Sequence, residues 1–243
     1  MRTAVSEVPV DEQDTRTDTQ DIDDFIYLIS HDVRASVRAL IELPQWIVED
    51  LEEAGIKING SVAQSVEMMN RHTARLDRML IDLLAYSRIG RMQDVLRVDI
   101  EAALDDVLAA LRIPEGIELT RDIASAYAVM GDQDALTLWS AVIGNAIKHR
   151  PGEAGRIHVS TQTEGAMIRF TVVDDGPGIP SAMRAKAVSP MTTLRPRDEV
   201  EGTGMGLANL RKMAAHYGGE MTLSDASEDS SGLRVDIVIP HGC

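Results

Sequence analysis

The strongest constraint on the fold is a pair of long helical repeats in the first third of the chain. From Ile22, apolar or small residues recur at Ile26, Ile29, Val33, Val37, Leu40, Pro44, Ile47 and Leu51, in steps of three and four. That is the period of an amphipathic helix. Pro44 lies on the stripe and lacks a backbone donor, which predicts a kink. After a break at EAGIKING, with Ser61 as the expected N-cap, Val62, Val66, Met69, Thr73, Leu76, Leu80, Leu83 and Ser87 keep a strict alternation of four and three. This is the mark of a coiled-coil seam. Two such helices joined by a short loop make a hairpin, and one hairpin cannot cover both stripes. Two copies packed as a four-helix bundle would cover them, so a homodimer is expected. The alternative is a hairpin that packs on the rest of the chain.

The chain has 243 residues, enough for one large domain or two modest ones. Aromatic residues make up 3% and there are 12 methionines, so the cores are aliphatic and methionine-rich. A formal charge of −15 argues against a nucleic-acid footprint, which needs a clustered basic face, and against docking on anionic lipid. The single cysteine is the last residue, Cys243, which excludes a disulfide framework and a cysteine-ligated metal site. No apolar run approaches the ~18 residues that span a bilayer, and Met1 to Gln20 lacks a signal-peptide core. A cytoplasmic protein is the natural expectation. Residues 1–20 are acidic and without period, and read as a disordered lead or the remnant of a connection to something upstream.

Beyond the hairpin, assigned to 21–92, the period ends near RIGRMQDV and a mixed pattern fills 96–243. Asp99 can cap a helix to about Arg112, and GIELTRDI and AYAVMGD read as strands. Asp132 caps a helix through QDALTLWSAVIGNAIKHR, stopped by Pro151. RIHVSTQT and MIRFTVVD alternate around a turn at Glu164-Gly165. A polar loop follows, then a helix from about Gly206 to Tyr217 and a last strand pair, EMTLSD and LRVDIVIP. Interleaved helices and hairpins predict a sheet covered on one side by helices.

Three features of this region carry chemistry. In VVDDGPGIP an apolar strand delivers Asp174 to its end, and Gly176 and Gly178 turn the backbone beyond it. A buried carboxylate there can accept from an exocyclic amine such as that of adenine, though the same residues also make a simple turn. In EGTGMGLANL, Gly202, Gly204 and Gly206 lead into a helix. Such loops expose backbone N–H groups to phosphate oxygens. The preceding RPRDEVE is no buried strand, which argues against a Rossmann site. In SAVIGNAIKHR, Asn145 and Lys148 share a helix face. The amide oxygen suits Mg²⁺ and the ammonium a phosphate, while a solvated surface pair is the plain alternative.

In this order the three features resemble the N, G1 and G2 boxes of the Bergerat-fold ATPases, a superfamily of histidine kinases, Hsp90-like chaperones, type II topoisomerases and mismatch-repair proteins. The resemblance covers residues 96 to 240. It implies an α/β sandwich binding ATP with Mg²⁺, Asp174 reading adenine and Asn145 holding the metal. Gly202, Gly204 and Gly206 would approach the phosphates, and residues 180 to 201 would form a lid. Arg195 and Arg197 in that lid could touch phosphates or simply be solvated. His72, His149, His158, His216 and His241 show no metal-ligand spacing.

The hairpin selects among the members. FIYLISHDVRASVRAL resembles the H-box of the dimerisation and histidine-phosphotransfer domain of sensor kinases, and LDRMLIDLLAYSRIGR its second helix. RDEVEGTGMGL is nearest to the phytochrome-like branch of bacterial histidine kinases. His31 follows Ile29 by two residues, about 200° around the helix and off the apolar stripe. It is therefore expected to point outward. The resemblance implies autophosphorylation of His31 from ATP and transfer to an aspartate of a response regulator, with Asp32 orienting the other ring nitrogen and accepting its proton.

Several residues depart from the family pattern. Ala141 and Thr137 stand where polar N-box residues are usual, which predicts slow autophosphorylation. Val188 and Met191 replace lid-flanking phenylalanines, and methionine fills apolar space adaptably. Ala35 replaces a Thr or Asn and Ser36 a Pro. Ala35 cannot position a water, so weak phosphatase activity is expected. The alternative to an active kinase is a histidine phosphotransfer or scaffold protein whose ATP-binding domain is weakened, His31 then taking phosphate from a phosphorylated regulator. No sensor fits within the acidic lead, so input would come from an upstream region or a separate protein.

Overall fold

The computed structural model describes residues 12–91, 93–150, 152, 154–194, 202–227 and 231–241. The side chains of residues 12–23 and of His31 lie outside the described set. The chain divides into two units, Met1–Arg88 and Ile89–Cys243.

The first unit is the expected hairpin of α1 (Glu12–Glu53) and α2 (Gly60–Arg88). Helix α1 begins inside the stretch whose composition predicts disorder. Polar residues can extend a helix once later turns are nucleated, because propagation costs less than initiation. It runs on through Pro44, and closes on Gly55 with the Ile56 amide donating to the Leu51 carbonyl (2.9 Å). Helix α2 starts at Gly60, so Ser61 lies in its first turn rather than at its cap.

Each apolar stripe is split lengthwise. Val37 and Pro44 are buried, with Ser30 on the same heptad column, while Ile29, Val33, Leu40 and Ile47 stay exposed. On α2, Leu80 and Ser87 are buried and Val66 and Thr73 half-buried, whereas Val62, Met69 and Leu76 are exposed. A heptad carries two apolar columns, and a single partner helix covers one of them.

The second unit holds β1 (Leu96–Asp99), α3 (Ile100–Ala110), β2 (Ile117–Ile123), β3 (Tyr127–Met130), α4 (Asp132–Lys148), β4 (Gly155–Glu164), β5 (Met167–Asp174), α5 (Ser181–Ala187), α6 (Gly206–His216), β6 (Glu220–Asp225) and β7 (Leu233–Pro240). Among the described residues, β2-β4-β5-β7-β6 form one sheet, with β2 and β4 parallel and the other neighbours antiparallel. Strands β1 and β3 make a separate ribbon, and β1 was not legible as a strand in so short a mixed segment. Asp99 caps α3 as expected, accepting from the Ala102 amide (3.0 Å). For α4 the cap is Gly131, one residue before the expected Asp132, whose carboxylate instead accepts from the Gln133 amide (2.7 Å).

Helices α3, α4 and α6 pack together, and the inward positions of β4, β5 and β7 complete their core. Trp139 and Phe170 meet edge-to-face, 5.6 Å between ring centroids, and the indole N–H donates to the Ile100 carbonyl (3.3 Å). Thr171 and Asp236 sit opposite each other on the alternate face of β5 and β7. The Asp236 carboxylate accepts from Thr171 (2.6 Å) and from Arg234 (2.7 and 3.0 Å). Burial opposes its ionisation, but these donors and the guanidinium charges hold its pKa below the usual aspartate value.

The residues after α2 belong to the second unit, which moves its start from the expected 96 to 89. Ile89 is buried in the core there. The Gly90 amide donates to the buried Asp134 carboxylate (3.1 Å), and the Tyr217 hydroxyl donates to the same oxygen (2.6 Å). The Gly131 amide donates in turn to the Tyr217 oxygen (2.8 Å). Burial and the bond to Asp134 push the Tyr217 hydroxyl pKa well above its ordinary value.

Candidate functional site

Asp174 ends β5, where the alternating strand runs into DGPG. One carboxylate oxygen, Oδ1, accepts from the Gly176 amide (2.8 Å) and the Leu233 amide (3.3 Å). These bonds orient the group, and among the described residues Oδ2 accepts none. Burial pushes the Asp174 carboxyl above the usual aspartate value, against the pull of the two amides, and the nearby Asp175 charge adds to the rise. A half-buried carboxylate with one oxygen tethered and the other unengaged is suited to receive a hydrogen bond from a ligand.

The glycines around it permit close backbone approach. A Cβ on Gly176 would come within 2.8 Å of Asp174 Oδ1, and one on Gly178 within 2.8 Å of the Gly232 carbonyl oxygen. Gly232 itself abuts the Asp174 carbonyl, so that no side chain fits between β5 and the start of β7. Gly232 and the Leu233 amide are partners of Asp174 that motif reading missed. Their one signal is a glycine before a strand, which looks like any other turn.

Helix α4 places Asn145 near its C-terminal end, and α6 begins opposite it at Gly206. A Cβ on Gly206 would lie 3.1 Å from Asn145 Nδ2 and 3.4 Å from Oδ1. The fold thus brings the helix amide and the glycine loop into contact across a long stretch of sequence. Gly204 has φ +75 and lies against the Thr192 backbone, leaving no room for a side chain. Met191, just before it, has φ +58, the one non-glycine with positive φ among the described residues. Left-handed backbone at such a residue costs about 1–2 kcal/mol, which the packing around this turn has to offset. A Cβ on Gly202, by contrast, would meet nothing within 4 Å. Lys148 is exposed in the last turn of α4, and among the described residues no hydrogen bond joins it to the others of the set.

The expected lid contains a short helix, α5, that its polar sequence did not reveal. Arg184 fastens it at the root, donating to the Ile179 carbonyl (3.0 Å) and pairing with Asp225 (2.6 Å). Arg195, Arg197 and the rest of 195–201 lie outside the described residues. So does the His31 side chain, whose backbone is helical in α1, and Asp32 next to it is exposed. Thr137 turns its hydroxyl to the Gln133 carbonyl of its own helix (2.8 Å), and Ala141 adds no polar group. No helix among the described residues is long and apolar enough to cross a membrane.

Residues 131–242 match the family of histidine kinase-, DNA gyrase B- and HSP90-like ATPases. Over 222 residues, 90% of the chain, the sequence is 27% identical to cyanobacterial phytochrome A of Nostoc sp.. Over 227 residues it is 25% identical to the sensor-like histidine kinase SenX3 of Mycolicibacterium smegmatis. The chain spans 28% of the first protein and 57% of the second. Full-length ShkA, solved in complex with AMPPNP, superposes with a TM-score of 0.66 at 23% identity, covering 89% of this chain and 45% of that one. Histidine kinase ThkA in complex with the response regulator protein TrrA gives 0.60 at 16%, covering 88% and 61%. The similarity runs through the hairpin as well as the sheet unit: residues 131–242 match the ATPase family, and the chain as a whole is similar to the helical and ATP-binding parts of sensor histidine kinases.

Proposed function

We propose that this chain is an ATP-dependent protein-histidine kinase that phosphorylates His31 and passes the phosphoryl group to an aspartate of a response regulator. The observation that carries it is the contact of Asn145 with Gly206 beside a glycine loop closed on Thr192. It gathers a metal-suited amide and side-chain-free backbone at a helix N-terminus, where phosphate oxygens are favoured. The residues fit ATP with Mg²⁺. Asp174 offers an unengaged carboxylate oxygen for the adenine amine, Gly202, Gly204 and Gly206 offer backbone to the phosphates, and Asn145 and Lys148 stand at the end of α4. Mg²⁺, when bound, would offset charge on the phosphates.

In this reading one imidazole nitrogen of His31 attacks the terminal phosphorus, ADP leaves, and Asp32 orients the ring and takes the proton from its other nitrogen. The complexes solved for the structural neighbours, one with AMPPNP and one with a response regulator, support both halves of the sequence of events. The uncovered columns Ile29, Val33, Leu40, Ile47 on α1 and Val62, Met69, Leu76 on α2 support a homodimeric four-helix bundle. Ala35 offers no polar group to hold a water, so dephosphorylation of the regulator is weak.

The test is incubation of the full chain with γ-labelled ATP and Mg²⁺, beside His31→Gln. Acid-labile, base-stable label that the variant loses, and that moves to a receiver domain, is the expected result. Label acquired from a phosphorylated receiver but not from ATP would replace this reading with the phosphotransfer alternative.

A further inference from the structure

Asn209, in the first turn of α6, is 5% exposed, and its carboxamide oxygen is buried with no hydrogen-bond partner among the described residues. A buried acceptor left unmade carries the full desolvation of the group, so an orphan of this kind calls for a partner beyond the described residues. Its neighbours Ala208 and Leu210 are apolar and buried.

The register of α6 on α4 locates that oxygen. Gly206 meets Asn145 at one end of the helix pair, and the Tyr217 hydroxyl meets Asp134 at the other (2.6 Å), with equal spacing along both chains. The helices are therefore antiparallel. One turn in from the Gly206–Asn145 contact, Asn209 stands level with the turn of Ala141 and Val142. The Cα–Cβ bonds of a helix tilt toward its N-terminus. Asn209 thus leans back toward Gly206, and Asn145 leans toward the turn of Ala141. The tilt carries both carboxamides toward the same seam between α4 and α6, where Ala141 adds no polar group.

We propose that Asn209 is a second oxygen donor of the nucleotide site, its carbonyl accepting a hydrogen bond from the hydration shell of the divalent cation that accompanies the nucleotide at Asn145. Mg²⁺ prefers oxygen ligands and keeps several of its waters, and a buried amide oxygen without a donor among the described residues suits such a water. This rests on the reading of the site as one for ATP with Mg²⁺.

The experiment measures AMPPNP binding to the full chain by calorimetry across a Mg²⁺ series and in EDTA, with thermal unfolding of the nucleotide-free protein alongside. In Asn209→Leu, which keeps the branched shape of the side chain and removes the oxygen, the Mg²⁺ concentration for half-maximal binding rises at least fivefold. Binding in EDTA is unchanged, and the free protein melts at the same or a higher temperature. Asn209→Asp, which keeps an oxygen donor, holds the Mg²⁺ requirement at or below that of the unsubstituted chain, and it decides the matter if the leucine variant does not fold. An unshifted Mg²⁺ dependence in Asn209→Leu, or an equal loss of binding with and without Mg²⁺, would overturn the proposal. If the unsubstituted chain binds no AMPPNP, or binds it without regard to Mg²⁺, the failure lies in the site reading instead.

Discussion

Asn145 and Gly206 stand face to face: a methyl group on Gly206 would lie 3.1 Å from the Asn145 amide nitrogen. That is tighter than ordinary contact, but the atom it meets is the end of a flexible side chain. Gly206→Ala therefore displaces Asn145 slightly, while Gly206→Val forces it out of place. The expected result is a graded loss of affinity for an ATP analogue with Mg²⁺, of roughly tenfold, or about 1.4 kcal/mol, for valine. Equal affinity in the valine variant and the unsubstituted chain would remove Asn145 from the site.

The raised pKa of Asp174 has a sign that can be checked. Only the ionised carboxylate accepts a hydrogen bond at both oxygens, so nucleotide affinity falls on acidification, starting above the pH at which an exposed aspartate titrates. For stability the direction is opposite. The folded state favours the protonated form, so this group costs stability above its folded pKa, and the cost fades as pH falls through it. Asp174→Asn is expected to abolish this pH dependence and weaken analogue binding by about 2 kcal/mol. Titration of affinity against pH in both proteins checks it.

Tyr217 ties the end of α6 to the start of α4 through its hydroxyl, giving to Asp134 and receiving from Gly131. Tyr217→Phe leaves a buried amide unmet and removes one of the bonds to a buried carboxylate that also holds Gly90. The expected loss is about 1–3 kcal/mol of stability, read from denaturant unfolding. An unchanged midpoint would show that water replaces the hydroxyl at no cost.

Leu76 belongs to the uncovered column of α2 and is 44% exposed. In a four-helix bundle that column is interior, so Leu76→Asp would bury a charge without a partner. Light scattering is expected to report a dimeric mass for the unsubstituted chain and a monomeric mass for the variant. A monomer in both cases would return the hairpin to the alternative of packing elsewhere.

Much of this architecture was legible because it is local. The steps of three and four in Val62 to Ser87 follow from helix geometry, and the alternation in MIRFTVVD from the pleat of a strand. The motifs around Asp174 and Gly204 were legible too, since turns and glycine loops write themselves in consecutive residues. Short elements with little apolar period, β1 and α5, were not. Neither was the membership of Ile89 and Gly90 in the second unit, because the bond that assigns them runs to Asp134, far along the chain.

The sequence by itself determined that two long helices precede an α/β unit, and which residue types stand at the strand end, in the glycine loop and on the helix facing it. Tertiary structure decided which column of each heptad is covered, that Gly206 approaches Asn145, that Gly232 and Leu233 support Asp174, and that the Asn209 oxygen has no partner among the described residues. Periodicity reports the geometry of one element. Burial and hydrogen bonding depend on which elements meet and in what register, and no stretch of consecutive residues encodes that.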